Sequence, residues 1–269
     1  MTGVFAGRST EALAAAVEAS NTELFRALVL TLDGGWVRDD GDALEAGCGV
    51  DFPLFNGVLR TGLAVGQADR RIDDILARRR EDGRDWLWWV WPSSAPADLG
   101  ERLAARGLEP FYSAPGMWVD LDAVAHPSPV PGLRIERVGD PASVEAWLSV
   151  VAPAFALPAP ATDAFRGLAA AGARGDTPVS DWVGFAGGEP VAVASLGIAA
   201  GVAGIFNVAT RSDARQRGYG SALTAHVLAQ ARAAGQRTAA LTASALGRGS
   251  YERLGFREVT RVTPYAPAA

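Results

Sequence analysis

Cysteine and histidine are scarce in this sequence of 269 residues. The single cysteine, Cys48, excludes an internal disulfide and a cysteine-rich zinc site within one chain. The two histidines, His126 and His226, lie in a proline-rich segment and in a predicted helix, and no serine or cysteine elbow accompanies either. The sequence therefore indicates neither a triad hydrolase nor a metal site. We expect His226 to face solvent.

An excess of positive charge and a long apolar run are also missing. The formal net charge of -5 gives no electrostatic basis for binding nucleic acid or an anionic membrane. We expect the tightest basic cluster, Arg78-Arg79-Arg80, to be a solvated helix face. No apolar run is long enough for a signal peptide or a membrane span, and the single cysteine suits a reducing compartment, so we expect a cytoplasmic location.

The length of the chain favours two domains over one. From Ala125 to Pro131 the sequence is AHPSPVP, a composition typical of an extended connector. We therefore predict domains at 1–125 and 132–269, joined by a proline-rich linker at 126–131.

The second domain is predicted to alternate strands and helices from its hydrophobic periods and its glycine and proline signals. The predicted elements are a strand at 133–136, a helix at 141–151, strands at 181–185, 191–196 and 205–210, a helix at 218–234, a strand at 237–243, a short helix at 249–254 and a strand at 259–262. The intervening segment from Pro153 to Ala173 is expected to be a loop.

The first half repeats this plan in weaker form, which predicts a tandem duplication. The matching pieces are Phe55-Asn56-Gly57-Val58 with Phe206-Asn207-Val208, the helix Gly66 to Gly83 with the helix Gly218 to Gly235, and Leu103 to Leu108 with Tyr251 to Phe256. The strand Trp86 to Trp91 is expected to be covered on both faces, because Trp88 and Trp89 point in opposite directions.

The segment Arg215-Gln216-Arg217-Gly218-Tyr219-Gly220 follows a predicted strand and precedes a predicted helix. The first turn of a helix offers unpaired N–H groups and the positive end of its dipole, provided that no side chain blocks close approach. Gly218 and Gly220 leave that approach open, while Arg215 and Arg217 can bind phosphate oxygens. The segment therefore predicts a pyrophosphate-binding loop.

With Tyr251-Glu252-Arg253-Leu254-Gly255-Phe256 at the right distance, the sequence resembles the GNAT superfamily of acetyltransferases, whose cofactor loop has the pattern Q/R-x-x-G-x-G/A and whose last helix often contains Y-x-x-L-G-F. The resemblance runs from about Leu133 to the C-terminus and more faintly over the first half. It implies a mixed α/β (α+β) fold of two GNAT-like domains, each a central, mostly antiparallel twisted sheet flanked by helices.

The resemblance implies that acetyl-CoA is the cofactor and that its pantetheine arm lies where the strand before the loop carries a bulge and leaves its neighbour. In the implied reaction a neutral amine attacks the thioester directly. The backbone N–H of Val208 stabilises the oxyanion, and Tyr251 is the general acid that protonates the departing thiolate. The implied cofactor contacts are Val208, Ala209, Thr210, Arg215, Gln216, Arg217, Gly218, Tyr219, Gly220, Ser221 and Ser244.

The sequence departs from the family pattern in two places. Ser244 stands seven positions before the tyrosine, where many members have asparagine. No acid stands in the strand Ile205 to Val208, where many relatives place a general base, and Asn207 cannot abstract a proton. Asp181 and Glu189 are expected at the surface, so we assign no base.

The first half lacks the corresponding chemical groups, because Leu63 and Leu103 occupy the places of Arg215 and Tyr251. We expect it to be catalytically silent. The predicted function is acetyl transfer to a primary amine of a small molecule or peptide by a monomer or homodimer, without nucleic acid or membrane partners. A non-catalytic acyl-CoA-binding regulator and an amide-forming acyltransferase acting on a larger metabolite stay open as alternatives.

Overall fold

The computed structural model describes residues 9–125 and 127–268, so the expectation for His126 lies outside the described residues. The chain forms two compact units that do not follow the order of the sequence. The first unit takes in the chain up to Leu24 and from Gly116 to Val259. The second unit takes in Phe25–Pro115 and the chain from Thr260 onward.

The helices and strands are numbered along the chain. The first half contains α1 (Thr10–Thr31), β1 (Trp36–Asp39), β2 (Ala43–Gly47), β3 (Gly57–Thr61), α2 (Ala68–Asp82), β4 (Leu87–Val90), α3 (Leu99–Ala104), β5 (Leu108–Pro110) and β6 (Ala114–Asp120). The second half contains β7 (Leu133–Arg137), α4 (Pro141–Ala154), α5 (Ala159–Arg174), β8 (Val179–Ala186), β9 (Glu189–Ala199), β10 (Val202–Thr210), α6 (Tyr219–Ala233), β11 (Thr238–Thr242), α7 (Arg248–Arg253) and β12 (Arg257–Pro267). None of the described helices is both long and apolar enough to span a membrane.

The sheet of the first unit has the strand order β6-β11-β10-β9-β8-β7, and its neighbours are antiparallel except for β10 and β11. Side chains alternate between its two faces, as the strand period requires. Trp182 and Ala194 share a buried cluster with the α6 side chain Leu223, whereas Val183 and Val193 pack in the cluster of α4. Both faces of this sheet are therefore covered by helices.

The sheet of the second unit has the order β1-β2-β3-β4-β12, with β5 beside β12. Its parallel pair is β3 and β4, the strands on either side of α2 in the chain. Ile72 and Ile75 of α2 pack against Trp88, and Trp89 packs against Phe25 with ring centroids 5.1 Å apart. Trp88 and Trp89 are thus both buried, as expected for a strand covered on both faces. The predicted mixed, mostly antiparallel α/β fold is confirmed.

The compact units divide the chain differently from the predicted boundary at 126–131. The last strand of each half of the sequence pairs with a strand of the other half. In the first unit β6 pairs with β11, and in the second unit β12 pairs with β4. Such pairing joins residues far apart in sequence, and a proline-rich connector gives no signal of it. Composition alone gives no indication that the two halves exchange strands, and the linker at 126–131 stays a prediction.

The segment from Pro153 to Ala173 was expected to be a loop, and this is wrong over most of its length. Helix α5 begins at Ala159 and ends at Arg174, with the left-handed Gly175 as its C-terminal cap. Its proline lies in the first turn, where the missing N–H has no intrahelical partner to lose. The loop is limited to residues 155–158, between α4 and α5.

The expectation that Arg78-Arg79-Arg80 forms a solvated helix face is also wrong for two of its members. Arg79 is 3% exposed and Glu45, on β2, is 1% exposed. The Nη2 atom of Arg79 lies 2.8 Å from Oε2 of Glu45, while Arg78 binds the other carboxylate oxygen. Arg80 alone is exposed. Clustered charges on a helix gave no indication of a buried acid on a distant strand.

Candidate active site

In the sheet of the first unit, β10 and β11 pair over only two residues each, and the space between them beyond these pairs is called the β10–β11 cleft. The two strands pair at Ala203 with Ala239 and at Gly204 with Ala240. No later residue of β10 pairs with β11 in the described chain. The backbone groups that face each other beyond these pairs are therefore available to a ligand lying between the strands.

A β-bulge interrupts β10 beside this cleft. The register with β9 shifts between Phe206 and Ala209, so Asn207 and Val208 have no partner residue on β9. Asn207 has φ 51°, in the left-handed region that asparagine tolerates better than most residues. A bulge turns backbone groups out of the ladder. The predicted oxyanion donor, the N–H of Val208, therefore lies in the irregular part of the strand.

The predicted pyrophosphate loop lies between β10 and α6, and its backbone N–H groups from Arg215 to Gly218 donate to none of the described residues. Gln216 and Gly218 have φ of 62° and 82°, and α6 begins at Tyr219. Among the described residues, the first backbone N–H of α6 that pairs is that of Ala222, with the Gly218 carbonyl at 2.9 Å. The preceding N–H groups, including that of Ser221, are unpaired donors at the positive end of a helix.

The end of β10 lies against the first turn of α6. A Cβ placed on Gly220 would stand 3.1 Å from the hydroxyl oxygen of Thr210. Arg215 and Arg217 flank this turn with exposed side chains. The side chain of Ala209 instead packs in the cluster of α4, on the opposite face of the sheet. The cleft thus leads to the helix turn, with two cations beside it.

Tyr251 lies on α7 with its ring buried. The side chain is 9% exposed, and its ring centroid lies 5.9 Å from that of Phe256. Val208 and Tyr219 pack against the same buried cluster. The Tyr251 hydroxyl makes no hydrogen bond to a described residue, and burial raises its pKa to about 12. The phenol is therefore protonated at neutral pH and has no described protein partner.

Ser244 contributes to the turn before α7. Its hydroxyl oxygen accepts a hydrogen bond from the N–H of Gly247 at 3.2 Å, and its carbonyl accepts the N–H groups of Gly247 and Arg248, both at 3.1 Å. This local bonding gives Ser244 a structural role. Its predicted contact with the cofactor stays a prediction, for which its hydroxyl hydrogen is available.

Asp181 does not lie at the surface, contrary to expectation, whereas Glu189 is exposed. The Asp181 side chain is 5% exposed and accepts a hydrogen bond from the hydroxyl of Ser195 on β9. The Nδ2 atom of Asn207 lies 3.1 Å from the same hydroxyl oxygen. Burial raises the pKa of Asp181 to about 6, against the lowering effects of Ser195 and Arg137. The sequence contained a signal for this burial, because the period of a strand places Asp181 on the same face as the apolar Val183.

The raised pKa of Asp181 makes a prediction for stability. The folded protein holds this proton more tightly than the unfolded chain does, so the contribution of Asp181 to stability is full below about pH 4 and is lost as pH rises through about 6. A difference of about 2 pKa units corresponds to about 3 kcal/mol. Relative to the wild type, Asp181→Asn should gain about this free energy of unfolding between pH 4 and pH 7 in urea titrations.

Parallel pH profiles for the wild type and Asp181→Asn would contradict this assignment. The control is Ser180→Ala, on the opposite face of β8, where the Ser180 hydroxyl accepts a hydrogen bond from Arg137 at 3.0 Å. That variant should keep the pH profile of the wild type.

His226 also departs from expectation, because it is half-buried instead of facing solvent. Its ring meets that of Trp182 edge-on with centroids 6.4 Å apart, and burial lowers its pKa. It lies on α6, the opposite side of the sheet from the α4 cluster. His226 is therefore a packing residue in this fold.

In the second unit, β3 and β4 are the strands that correspond to β10 and β11. Backbone hydrogen bonds join the segments that follow these two strands. Beyond the paired residues of the two strands, Gly62 forms a bridge with Ala95. The N–H of Leu63 donates to the Ala95 carbonyl at 3.0 Å, and the N–H of Ala95 donates to Thr61 at 3.1 Å. Leu103, in the place of Tyr251, is fully buried. In the second unit the chain itself therefore forms backbone hydrogen bonds at the place where β10 and β11 no longer pair in the first unit.

Comparison with known proteins identifies the family to which the central part of the second half belongs. Residues 144–256 match the model of the acetyltransferase (GNAT) family. These residues form a GNAT acetyltransferase domain. The match includes β10, the loop, α6 and Tyr251, so the bulge and cleft described above lie inside the GNAT domain. The family transfers acetyl groups from acetyl-CoA. A search of curated protein sequences found no match.

Solved structures resemble almost the whole chain. A GCN5-related N-acetyltransferase from Kribbella flavida matches with TM-score 0.73 and 19% identity, over 94% of this chain and 96% of that one. One from Sphaerobacter thermophilus matches with TM-score 0.61 and 16% identity, over 86% and 84%. A tandem GNAT protein from the clavulanic acid biosynthesis pathway matches with TM-score 0.59 and 14% identity, over 93% and 94%. At these identities the likeness establishes the fold around the GNAT domain.

Proposed function

We propose that this chain is an acetyl-CoA-dependent N-acetyltransferase that acts on a primary amine of a small molecule or peptide. The observation that carries the proposal is the continuity of the donor site. The β10–β11 cleft runs to Thr210, and Thr210 lies against Gly220 in the first turn of α6. A pantetheine arm in the cleft and a pyrophosphate on the unpaired N–H groups of that turn fit one extended ligand.

The proposed reaction forms a C–N bond and breaks the C–S bond of acetyl-CoA. The amine attacks in its neutral form, and the N–H of Val208 stabilises the charge that develops on the carbonyl oxygen. Tyr251 donates its phenolic proton to the departing coenzyme A thiolate and regains a proton from water, and the amine nitrogen gives its surplus proton to water. The free Tyr251 hydroxyl and its place in one cluster with Val208 support this role.

We also propose that the second unit is catalytically silent. The bridge between Gly62 and Ala95 closes the place that the pantetheine arm takes in the GNAT domain. The apolar Leu103 cannot donate a proton, and Leu63 cannot bind phosphate. A single acetyl-CoA site in each chain follows, and calorimetric titration with coenzyme A measures that number directly.

The acceptor is proposed to present an apolar portion beside its amine. The α4–α5 connection, which borders acceptor sites in the resembled family, carries Phe155 with half of its side chain exposed. This exposed ring favours uncharged acceptors over polycationic ones.

Gly218→Val tests the donor site. Gly218 has φ 82°, which valine adopts only with strain, and the new Cβ would meet Val130 at 3.3 Å. Displacing the first turn of α6 removes N–H donors from the phosphate, so we expect the affinity for coenzyme A to fall at least about tenfold, as one or more hydrogen bonds to a charged group are lost. Isothermal calorimetry measures this affinity.

Gly175→Val is the matched control for Gly218→Val. Gly175 has a similar φ of 83° and open space around its Cα, and it ends α5 far from the loop in sequence. It carries the same backbone strain without changing the proposed phosphate contacts. Equal affinities of the two variants for coenzyme A would show that the loop is not part of the cofactor site.

Thiol release from acetyl-CoA over a panel of primary amines tests the function itself. The sequence contains no lysine, so release cannot come from acetylation of its own lysine side chains. Amine-dependent release by the wild type supports the enzyme. Thermal stabilisation by coenzyme A without amine-dependent release would instead support a non-catalytic acyl-CoA-binding protein and overturn the proposal.

A further inference from the structure

Three polar side chains form a row across adjacent strands of the GNAT domain. Asp181 on β8 is paired in register with Ser195 on β9, and Ser195 is paired with Phe206, the neighbour of Asn207 on β10. The Ser195 hydroxyl donates to Oδ1 of Asp181, and Nδ2 of Asn207 donates to the Ser195 oxygen at 3.1 Å. The row therefore begins at a buried carboxyl and ends at the bulge beside the cleft.

The direction of these hydrogen bonds follows from the chemistry of the groups. An ionised carboxylate accepts hydrogen bonds and cannot donate one. The Ser195 hydroxyl must therefore donate its single hydrogen to Asp181. Its oxygen then acts as an acceptor, so the Asn207 group that faces it is the NH₂ and not the carbonyl oxygen. The carboxamide of Asn207 is fixed in one of its two orientations. Its Oδ1 atom accepts no hydrogen bond from the described residues and is turned away from Ser195.

The buried carboxyl of Asp181 forms no ion pair with a described residue. No described cation lies within salt-bridge distance of it, and the guanidinium of Arg137 is hydrogen-bonded to Ser180. Burying a carboxyl in this way destabilises the fold unless its hydrogen bonds compensate. A neutral side chain in place of Asp181 would fill the same position without that cost. The row is consequently difficult to explain by stability alone.

We infer that Asp181 and Ser195 hold the Asn207 carboxamide so that its Oδ1 accepts a hydrogen bond from an N–H of the acceptor amine at the bulge of β10. The inference rests on the proposed acetyl transfer. Asn207 touches the substrate, whereas Asp181 and Ser195 are positioning residues that act through it. No bond is made or broken at Asn207. Its contact directs the nitrogen lone pair of the amine toward the thioester carbon.

This arrangement makes use of a residue that cannot serve as a base. A carboxylate at position 207 would attract a protonated amine, which has no lone pair for attack. A carboxamide oxygen accepts a hydrogen bond from the neutral amine without holding it as an ion. The left-handed φ of Asn207 places this side chain on the irregular backbone next to Val208, the proposed oxyanion donor.

A double-mutant cycle tests whether Ser195 acts through Asn207. Asn207→Gly removes the carboxamide and tolerates the left-handed backbone, and Ser195→Ala removes the link between two intact partners. With the amine that the wild type uses fastest, each variant should lower kcat/KM for the amine on the order of tenfold, the value of one hydrogen bond. The double variant should be no slower than Asn207→Gly. Multiplying effects would overturn the inference.

Further readouts keep the result interpretable. Coenzyme A affinity, measured by calorimetry, should be unchanged in Ser195→Ala, and Ser180→Ala on the other face of β8 should keep the wild-type kcat/KM. Asn207→Asp, which keeps the shape but cannot donate to Ser195, should also lose activity; full activity there would overturn the inference. A wild type without amine-dependent release refutes the proposed function and this inference together, whereas an active wild type with unaffected variants refutes the inference alone.

Discussion

Replacing Tyr251 with phenylalanine should lower the rate of amine-dependent thiol release by about 10²-fold or more, because a positioned general acid contributes at least this much. The aromatic ring is retained, so its packing against Phe256 and its place in the buried cluster are retained as well. The affinity for coenzyme A should therefore change little. Steady-state kinetics with saturating acetyl-CoA and calorimetry with coenzyme A measure the two quantities separately.

The size of the effect follows from the leaving group. Coenzyme A departs as a thiolate, and in an apolar site the bare thiolate is poorly solvated. Burial raises the pKa of Tyr251 to about 12, which keeps the phenol protonated across the usual assay range. Desolvation raises the pKa of a thiol as it raises that of a phenol, so burial shifts the proton donor and the proton acceptor in the same direction. Above pH 7, the loss of rate in Tyr251→Phe should consequently be independent of pH.

Two comparisons separate proton transfer from packing. Tyr112→Phe, in the second unit, removes another hydroxyl whose pKa burial raises to about 12, and it should keep the wild-type rate. An acetyl thioester with a more acidic thiol than coenzyme A needs less protonation, so Tyr251→Phe should lose less with it. An unchanged rate with acetyl-CoA, or an equal loss with both thioesters, would remove Tyr251 from the mechanism as general acid.

The proposed donor site rests on sequence signals that are local, and the structure contains the elements that those signals predict. The loop from Arg215 to Gly220 connects one strand to one helix, and glycine marks the positions where backbone N–H groups must approach an anion. Tyr251 follows as part of a short helix with its own motif. Family resemblance added the bulge, and the structure contains it at Asn207. Each of these features is determined by residues close together in the chain.

The row of Asp181, Ser195 and Asn207 could not be predicted in the same way, because it is assembled across strands. Asp181 and Asn207 are separated by 26 positions, and Ser195 joins them through ladder register that a single strand does not determine. Helix α5 was missed for a different reason. The segment is rich in alanine and proline, and the first turn of a helix accepts proline without losing a hydrogen bond.

The exchange of β6 and β12 between the two halves of the sequence shows the limit of the repeat argument. Two similar halves predict two similar sheets, and both sheets are present. Which half supplies the outer strand depends on pairing between β6 and β11 and between β12 and β4, residues more than a hundred positions apart. Hydrophobic alternation is the same for either partner. The hydrophobic alternation of the sequence therefore predicts the strands but not which half supplies the outer strand of each sheet.

Arg79→Ala should lower the free energy of unfolding of the second unit by about 3 kcal/mol, because it leaves a buried carboxylate with one partner fewer. Glu45 is 1% exposed and binds Arg79 through Nη2 at 2.8 Å and Nε at 3.2 Å. The Arg79 guanidinium also lies over the ring of Trp36, 4.8 Å from its centroid. Five of the eight tryptophans belong to the second unit, so tryptophan fluorescence in urea reports on this change.

Arg80→Ala is the matched control, since Arg80 is the next residue of α2 and is exposed. It should change the free energy of unfolding by less than about 0.5 kcal/mol. Removing both charges, as Glu45→Leu with Arg79→Leu, should destabilise less than Arg79→Ala alone, because the cost lies in the unpaired carboxylate and not in the lost attraction. The Nη1 atom of Arg79 is already buried without a hydrogen-bond partner. Equal effects of Arg79→Ala and Arg80→Ala would show that Arg78 suffices to hold Glu45.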